Sequence, residues 1–228
     1  MKRSEINQAI RRMEAFAGLH GFELPPFCAF TPEEWPDKSH EFDEIRDNML
    51  GWDVTDYGAG DFAKVGFSLV TIRNGSLANR EKYPKSYAEK LLYLEETQYS
   101  PMHFHWSKME DIINRGGGNM LIRVYNSKPD ETFDTTDVTL HCDGRIYTVP
   151  AGTQVRLTPG ESISIYPYMY HDFTVEAGTG PVLLGEVSMV NDDVHDNRFY
   201  EPLGRFSTIE EDEKPYRLLC NEYPAAKD

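Results

Sequence analysis

The chain has 228 residues, 39% of them hydrophobic and 12% aromatic, which is enough for one large packed domain, and it carries a formal charge of −15. So large an acidic excess argues against nucleic acid and anionic membranes as partners, because phosphate-binding surfaces need clustered Lys and Arg. No run approaches the roughly 20 apolar residues that span a bilayer, the charged start "MKRSEINQAIRR" lacks the apolar stretch of a signal peptide, and Cys28, Cys142 and Cys220, odd in number and far apart, read as free thiols of a reducing cytoplasm.

In chain order, residues 4–17 read as an amphipathic helix. Ile6, Ile10, Met13 and Phe16 recur at helical spacing, and Gly18 supplies a stop. A second helix is expected from "TPEEW", with Thr31 as N-cap, Pro32 in the first helical position and Glu34 as the reciprocal partner, running to about Met49. From about residue 60 the character changes. Short alternating or apolar runs such as "AKVGFSLVTIR", "AEKLLYLEE", "NMLIRVYNS", "SISIY" and "PVLLGEVSMV" are separated by "NGS", "RGGGN", "CDG", "TPGES" and "AGTGP". Strands at such spacing between Gly and Pro clusters indicate a β-sandwich or barrel. The expected organisation is mainly β and a single domain over 1–228. Residues 1–60 form a helical extension packed outside, 61–200 the β-barrel, and 201–228 a partly ordered C-terminal surface extension.

The stretch "PMHFHWSKMED" carries the chemistry. If 99–105 is a strand, His103 and His105 share one face, because side chains alternate with period two. Glu110 lies at odd separation from His105, so the intervening "WSKM" must turn or bulge to bring it back to that face. A third imidazole arrives at His171, after the turn, strand and proline break of "PGESISIYPYMYH". Three imidazoles and a carboxylate leave two open positions on an octahedral ion. They suit Mn, Fe, Co, Ni or Zn better than Mg or Ca, and availability and the carboxylate favour Mn(II). The competing reading is a chance H-x-H pair, which the glutamate and the downstream histidine argue against. His20, His40 and His195 read as loop or surface residues, and His141 as a strand histidine.

At these residues the chain resembles the cupin superfamily, whose first motif is H-x-H, a short gap, E and a glycine. Here these are His103, His105, Glu110 and the Gly116–Gly118 run. Its second motif runs from a glycine to a histidine with a proline between, matched by Gly160 and His171. Pro167 stands one place late, and Met169 replaces a usual glycine. Across its whole length, including "HFHWSKMEDIINRGGGNMLIRVYN", the chain is similar to the cupin-type D-lyxose isomerases. That resemblance implies a double-stranded β-helix barrel with N-terminal helices outside and a homodimer. It also implies a Mn-dependent aldose–ketose isomerase interconverting D-lyxose and D-xylulose, often also D-mannose and D-fructose.

Such a reaction moves a proton between C1 and C2, through a cis-enediolate that a metal would stabilise. A base must carry the proton. Glu186, inside the apolar run "VLLGEVSMV", is the first candidate, since a buried carboxylate needs an explanation. The competing reading turns it outward against a surface lysine. Lys108, between two ligands in sequence, is placed to donate a proton to O1 or O2 or to stabilise the oxyanion; otherwise it is an exposed turn residue. Candidate substrate contacts are Lys90, the loop residues Asp192, Asp193 and Arg198, and the aromatics Trp106 and Phe104. An iron-dependent dioxygenase or a non-catalytic sugar-binding cupin would use the same ligand set.

Overall fold

The computed structural model of the chain describes residues 1–204 and 206–228. Its first helix, α1 (Arg3–Leu19), buries Ile6, Ile10, Met13 and Ala17, and His20 caps its end. The second expected helix does not form as one piece. Pro36 lacks the N–H that a helix interior requires, and the segment breaks into 3₁₀ turns at Trp35–Asp37 and His40–Phe42 before a short α2 (Asp43–Asp47). Trp35 is buried there, with its ring stacked on Tyr223 at 3.9 Å.

Strand structure begins earlier than residue 61, at β1 (Gly51–Thr55). Then follow β2 (Phe67–Arg73), β3 (Tyr87–Leu94), β4 (Tyr99–Phe104), β5 (Glu110–Gly117), β6 (Met120–Asn126), β7 (Val138–Cys142) and β8 (Arg145–Val149). The remainder are β9 (Gln154–Leu157), β10 (Ser162–Ile165), β11 (Met169–Val175), β12 (Val182–Met189) and the short β13 (Arg198–Phe199). They build two antiparallel sheets, one of eight strands in the order β1-β2-β3-β12-β5-β10-β7-β8 and one of five in the order β13-β4-β11-β6-β9.

The alternation of side chains divides the large sheet into two hydrophobic layers. Phe67, Leu69, Leu92, Leu94, Ile112, Val182 and Leu184 point between the sheets and meet Met120, Ile122, Val124 and Phe173 of the smaller one. Their neighbours Val70, Ile72, Leu91, Tyr93 and Leu183 point outward and are covered by α1. Gly117 ends β5 beneath that helix at φ +86°, where a Cβ would lie 2.4 Å from Pro181 O and 2.7 Å from Phe16 Cζ. A glycine in the first motif is therefore demanded by both backbone angle and space.

The C-terminal segment is not a loosely attached extension. The buried Arg3 guanidinium pairs with Glu211 at 2.6 Å and with Glu222, Cys220 N donates to Trp52 O at 2.7 Å, and Leu219 is buried against the α1 layer. Cys28 and Cys142 are free thiols and both are buried; Cys220 is buried as well. Among the described residues, no helix is long and apolar enough to cross a membrane.

Candidate metal centre and active site

The interior of the barrel is apolar at one end and charged at the other. The change occurs within single strands: Leu94 and Leu92 give way to Lys90 on β3, and Leu184 to Glu186 on β12. On β5 the inward sequence runs from Asn114 through Ile112 to Glu110, all three buried.

Cross-strand register brings the distant histidines together. His171 on β11 lies directly opposite His103 on β4, with ring centroids 4.2 Å apart. His105 follows one residue after β4 and keeps the same side, as period-two alternation requires. The chain then turns through residues 106–109 and returns as β5, whose first residue is Glu110. Glu110 Oε1 lies 3.4 Å from His105 Nε2 and 3.2 Å from His171 Nε2. One nitrogen from each histidine lies within 4.8 Å of the others, and all three rings are buried.

Hydrogen bonds set the tautomers. His103 Nδ1 contacts Pro101 O at 2.7 Å, His105 Nδ1 contacts Asp196 O at 2.8 Å, and His171 Nδ1 contacts Met169 O at 3.0 Å. A carbonyl oxygen only accepts, so each Nδ1 carries the proton and each Nε2 turns a lone pair to the centre. Nε2 of His105 and of His171 is buried without a hydrogen-bond partner. Such orphans are costly unless a ligand satisfies them. The donor set therefore fits a divalent transition ion. Burial, then the neighbouring His171 and His105, hold the His103 pKa well below the usual imidazole range. The neutral form is the ligating one.

A charged network stands beside the histidines. Lys108 Nζ lies 2.7 Å from Glu110 Oε2 and 3.0 Å from Glu186 Oε1, and 3.1 Å from Asn191 Oδ1. Lys90 Nζ lies 3.5 Å from Glu186 Oε1, 3.0 Å from Asp193 Oδ1 and 2.6 Å from Asn191 Oδ1. Burial lowers the Lys108 pKa, but Glu110, Glu186 and Asp193 outweigh it and hold the ammonium firmly protonated. Burial likewise raises the Glu110 pKa, while Lys108 and His105 prevail and keep it well below the carboxylate range. Glu186 thus faces inward, paired with two buried lysines rather than a surface one.

A cavity of about 50 Å³ opens on this group. Its lining includes His103, His105, Lys108, Glu110, Glu186 and Lys90, with Asp193, Asn197, Tyr57 and Phe199. Four expected substrate contacts do not line it. Phe104 alternates with the two histidines and so points the other way, against Tyr168 and Tyr170. Arg198 lies opposite Phe104 in the β13–β4 register and pairs with Glu131 at 2.7 Å. Trp106 donates its indole N–H to Glu131 Oε1 at 2.9 Å, and Asp192 pairs with His195 at 3.0 Å beside a neighbouring pocket. Phe199 and Tyr57, which line the cavity, were not anticipated. Phe199 sits opposite His103, so its parity would have pointed inward had the pairing been known. Asn191 and Asp196 carry no local signal at all. His20 packs on Phe16, His40 on Asp43 and His141 on Tyr166, all away from the centre.

Two antiparallel sheets closed around a buried cluster of three histidines and a glutamate define a metal-binding barrel of the cupin type. The D-lyxose isomerase family model matches residues 1–223, and the chain belongs to that family. It is 48% identical over 224 residues, 98% of both chains, to the D-lyxose/D-mannose isomerase of Escherichia coli O157:H7. It is 49% identical over 224 residues, again 98% of both, to the D-lyxose/D-mannose isomerase of Serratia proteamaculans. Among solved structures it is similar to Cellulomonas parahominis L-ribose isomerase with L-ribose, at TM-score 0.58 and 16% identity over 92% of this chain and 98% of that one. Geodermatophilus obscurus L-ribose isomerase gives TM-score 0.58 and 16% identity over 89% and 94%. At such identities the likeness concerns the fold.

Proposed function

We propose that the chain is a metal-dependent aldose–ketose isomerase that interconverts D-lyxose and D-xylulose, and also D-mannose and D-fructose. The observation that carries this reading is a buried carboxylate, Glu186, held by Lys108 and Lys90 beside the histidine centre, in a chain so similar to isomerases of those sugars. His103, His105, Glu110 and His171 would hold the ion, for which Mn(II) is our first choice, with Zn, Fe, Co or Ni as alternatives. Bound there, a divalent cation supplies Lewis acidity toward a sugar carbonyl.

The chain's own groups then divide the work. Glu186 takes the proton from one of C1 and C2 and returns it to the other. Lys108 keeps its proton, because Glu110 and Glu186 flank it; it therefore acts as a hydrogen-bond donor to a sugar oxygen and to Glu186, not as a base. Lys90 and Asp193 are the substrate contacts that we retain from the sequence, and both line the cavity.

The experiment is to incubate metal-loaded protein with D-xylulose or D-fructose in D2O under anaerobic conditions. Aldose carrying deuterium at C2 is expected. No turnover without oxygen, or aldose formed with complete retention of protium, would overturn the isomerase or the proton-transfer reading respectively. We also propose a cytoplasmic homodimer. The exposed Tyr87, Val187, Met189 and Ile146 on the outer face of the large sheet support dimerisation, and sedimentation equilibrium tests it.

A further inference from the structure

Residues 191–199 follow β12 and reach four groups of the proposed site, Lys90, Lys108, His103 and His105. Asn191 Oδ1 accepts from both Lys90 and Lys108, Asp193 pairs with Lys90, and the Phe199 ring lies 5.5 Å from that of His103. Asp196 is different, because it binds the turn that carries the ligands. Its Oδ1 accepts Ser107 N–H at 2.9 Å, its Oδ2 accepts Lys108 N–H at 2.8 Å, and its backbone oxygen accepts His105 Nδ1–H at 2.8 Å.

The turn needs such a partner. Residues 106–109 lie between β4 and β5, outside either strand, so the Ser107 and Lys108 amides have no ladder to join. A single carboxylate takes both, one oxygen each, and the same residue's main chain fixes the His105 ring. Two side chains of the site, His105 and Lys108, thus take their places from one residue. Asp196 itself does not line the cavity and touches no reacting atom.

We propose that Asp196 is a positioning residue: it fixes the 105–108 turn so that His105 Nε2 faces the centre and Lys108 stays between Glu110 and Glu186. The kinetic part of this inference rests on the isomerase reading; the metal-binding part does not. Asp196→Ala removes both amide acceptors. Asp196→Asn keeps one and turns an NH2 group toward the other amide, so it lies between wild type and Asp196→Ala and remains informative if Asp196→Ala does not fold.

For Asp196→Ala, kcat is expected to fall about 100-fold with KM for D-fructose within about threefold. Affinity for Mn2+ alone, measured by calorimetry, is expected to weaken about tenfold. Amide exchange is expected to quicken at Ser107 and Lys108 while β12 stays protected. At saturating Mn2+, combining Asp196→Ala with Lys108→Ala is expected to slow kcat by clearly less than the product of the two single losses. Wild-type kcat and Mn2+ affinity in Asp196→Ala would overturn the proposal, as would losses that multiply in the double variant. If the wild-type protein turned over no sugar, the isomerase reading would fall, and Mn2+ affinity and amide exchange would still decide the role of Asp196.

Discussion

Glu186 on β12 and Lys90 on β3 are directly opposed in an antiparallel pair, and their side chains meet inside the barrel with Lys90 Nζ 3.5 Å from Glu186 Oε1. Lys108 approaches the same carboxylate oxygen from the turn before β5. Two buried cations thus face one carboxylate oxygen beside the histidine centre, the position the proposed base must occupy. Glu186→Gln keeps the shape and loses the base. Its kcat should fall about 1,000-fold while Mn2+ content, read by atomic absorption, stays at the wild-type level. A kcat within tenfold of wild type would remove Glu186 from the base role.

Lys90 is buried and faces the carboxylates of both Glu186 and Asp193. Replacing it by Met leaves buried negative charge short of a cation. The expected cost is about 3 kcal/mol, read as a lower urea midpoint at unchanged slope. A double variant, Lys90→Met with Asp193→Asn, should recover part of that loss.

Removal of metal should abolish turnover, and add-back of Mn2+ should restore it. Because folding must precede assembly of ligands from β4, β5 and β11, the ion should also stabilise the native state, by about 2.7 kcal/mol at a hundredfold excess over Kd. Thermal unfolding with and without Mn2+ measures this. His171→Ala should erase both the shift and the activity, since His171 lies between Glu110 and His103.

Acid should weaken the metal-free protein in two steps of the same sign. The folded chain holds His103 neutral where the unfolded chain takes up a proton. The stability associated with His103 is complete above about pH 6.5 and declines by up to about 1.4 kcal/mol per pH unit as pH falls toward the lowered folded value. Glu110 follows at lower pH. Its folded pKa is depressed, so its contribution is complete above about pH 4.3 and is lost as pH falls through the folded value. Urea midpoints in EDTA at pH 7.5, 6.5 and 5.5 test the first step, and His103→Gln should flatten it.

Arg3 ties the first turn of α1 to the C-terminal segment through Glu211 and Glu222. Arg3→Ala should cost about 2 kcal/mol through lost charge-assisted hydrogen bonds. It should also expose the peptide bonds near Leu219 to limited proteolysis, while leaving KM for sugar unchanged.

Much of the site was legible because its signals are local. The H-x-H spacing carries a strand's period within three residues, and the apolar run around Glu186 marks it as a charge in need of partners. The same period, applied one residue further, would have turned Phe104 away from the histidines. The helix expected at 31–49 does not form for a comparably local reason: Pro36, five residues after the start signal at Thr31, interrupts it.

By itself, then, the amino-acid order determined the strand character from residue 60 onward, the face shared by His103 and His105, and the kinds of atoms available to an ion. Only the tertiary structure decided that His171 stands across from His103, that Lys108 and Lys90 converge on one carboxylate, and that Phe199 rather than Phe104 faces the cavity. Those facts depend on register between strands far apart in the chain, where a shift of one residue reverses every side chain, and periodicity within a strand carries no information about its neighbour.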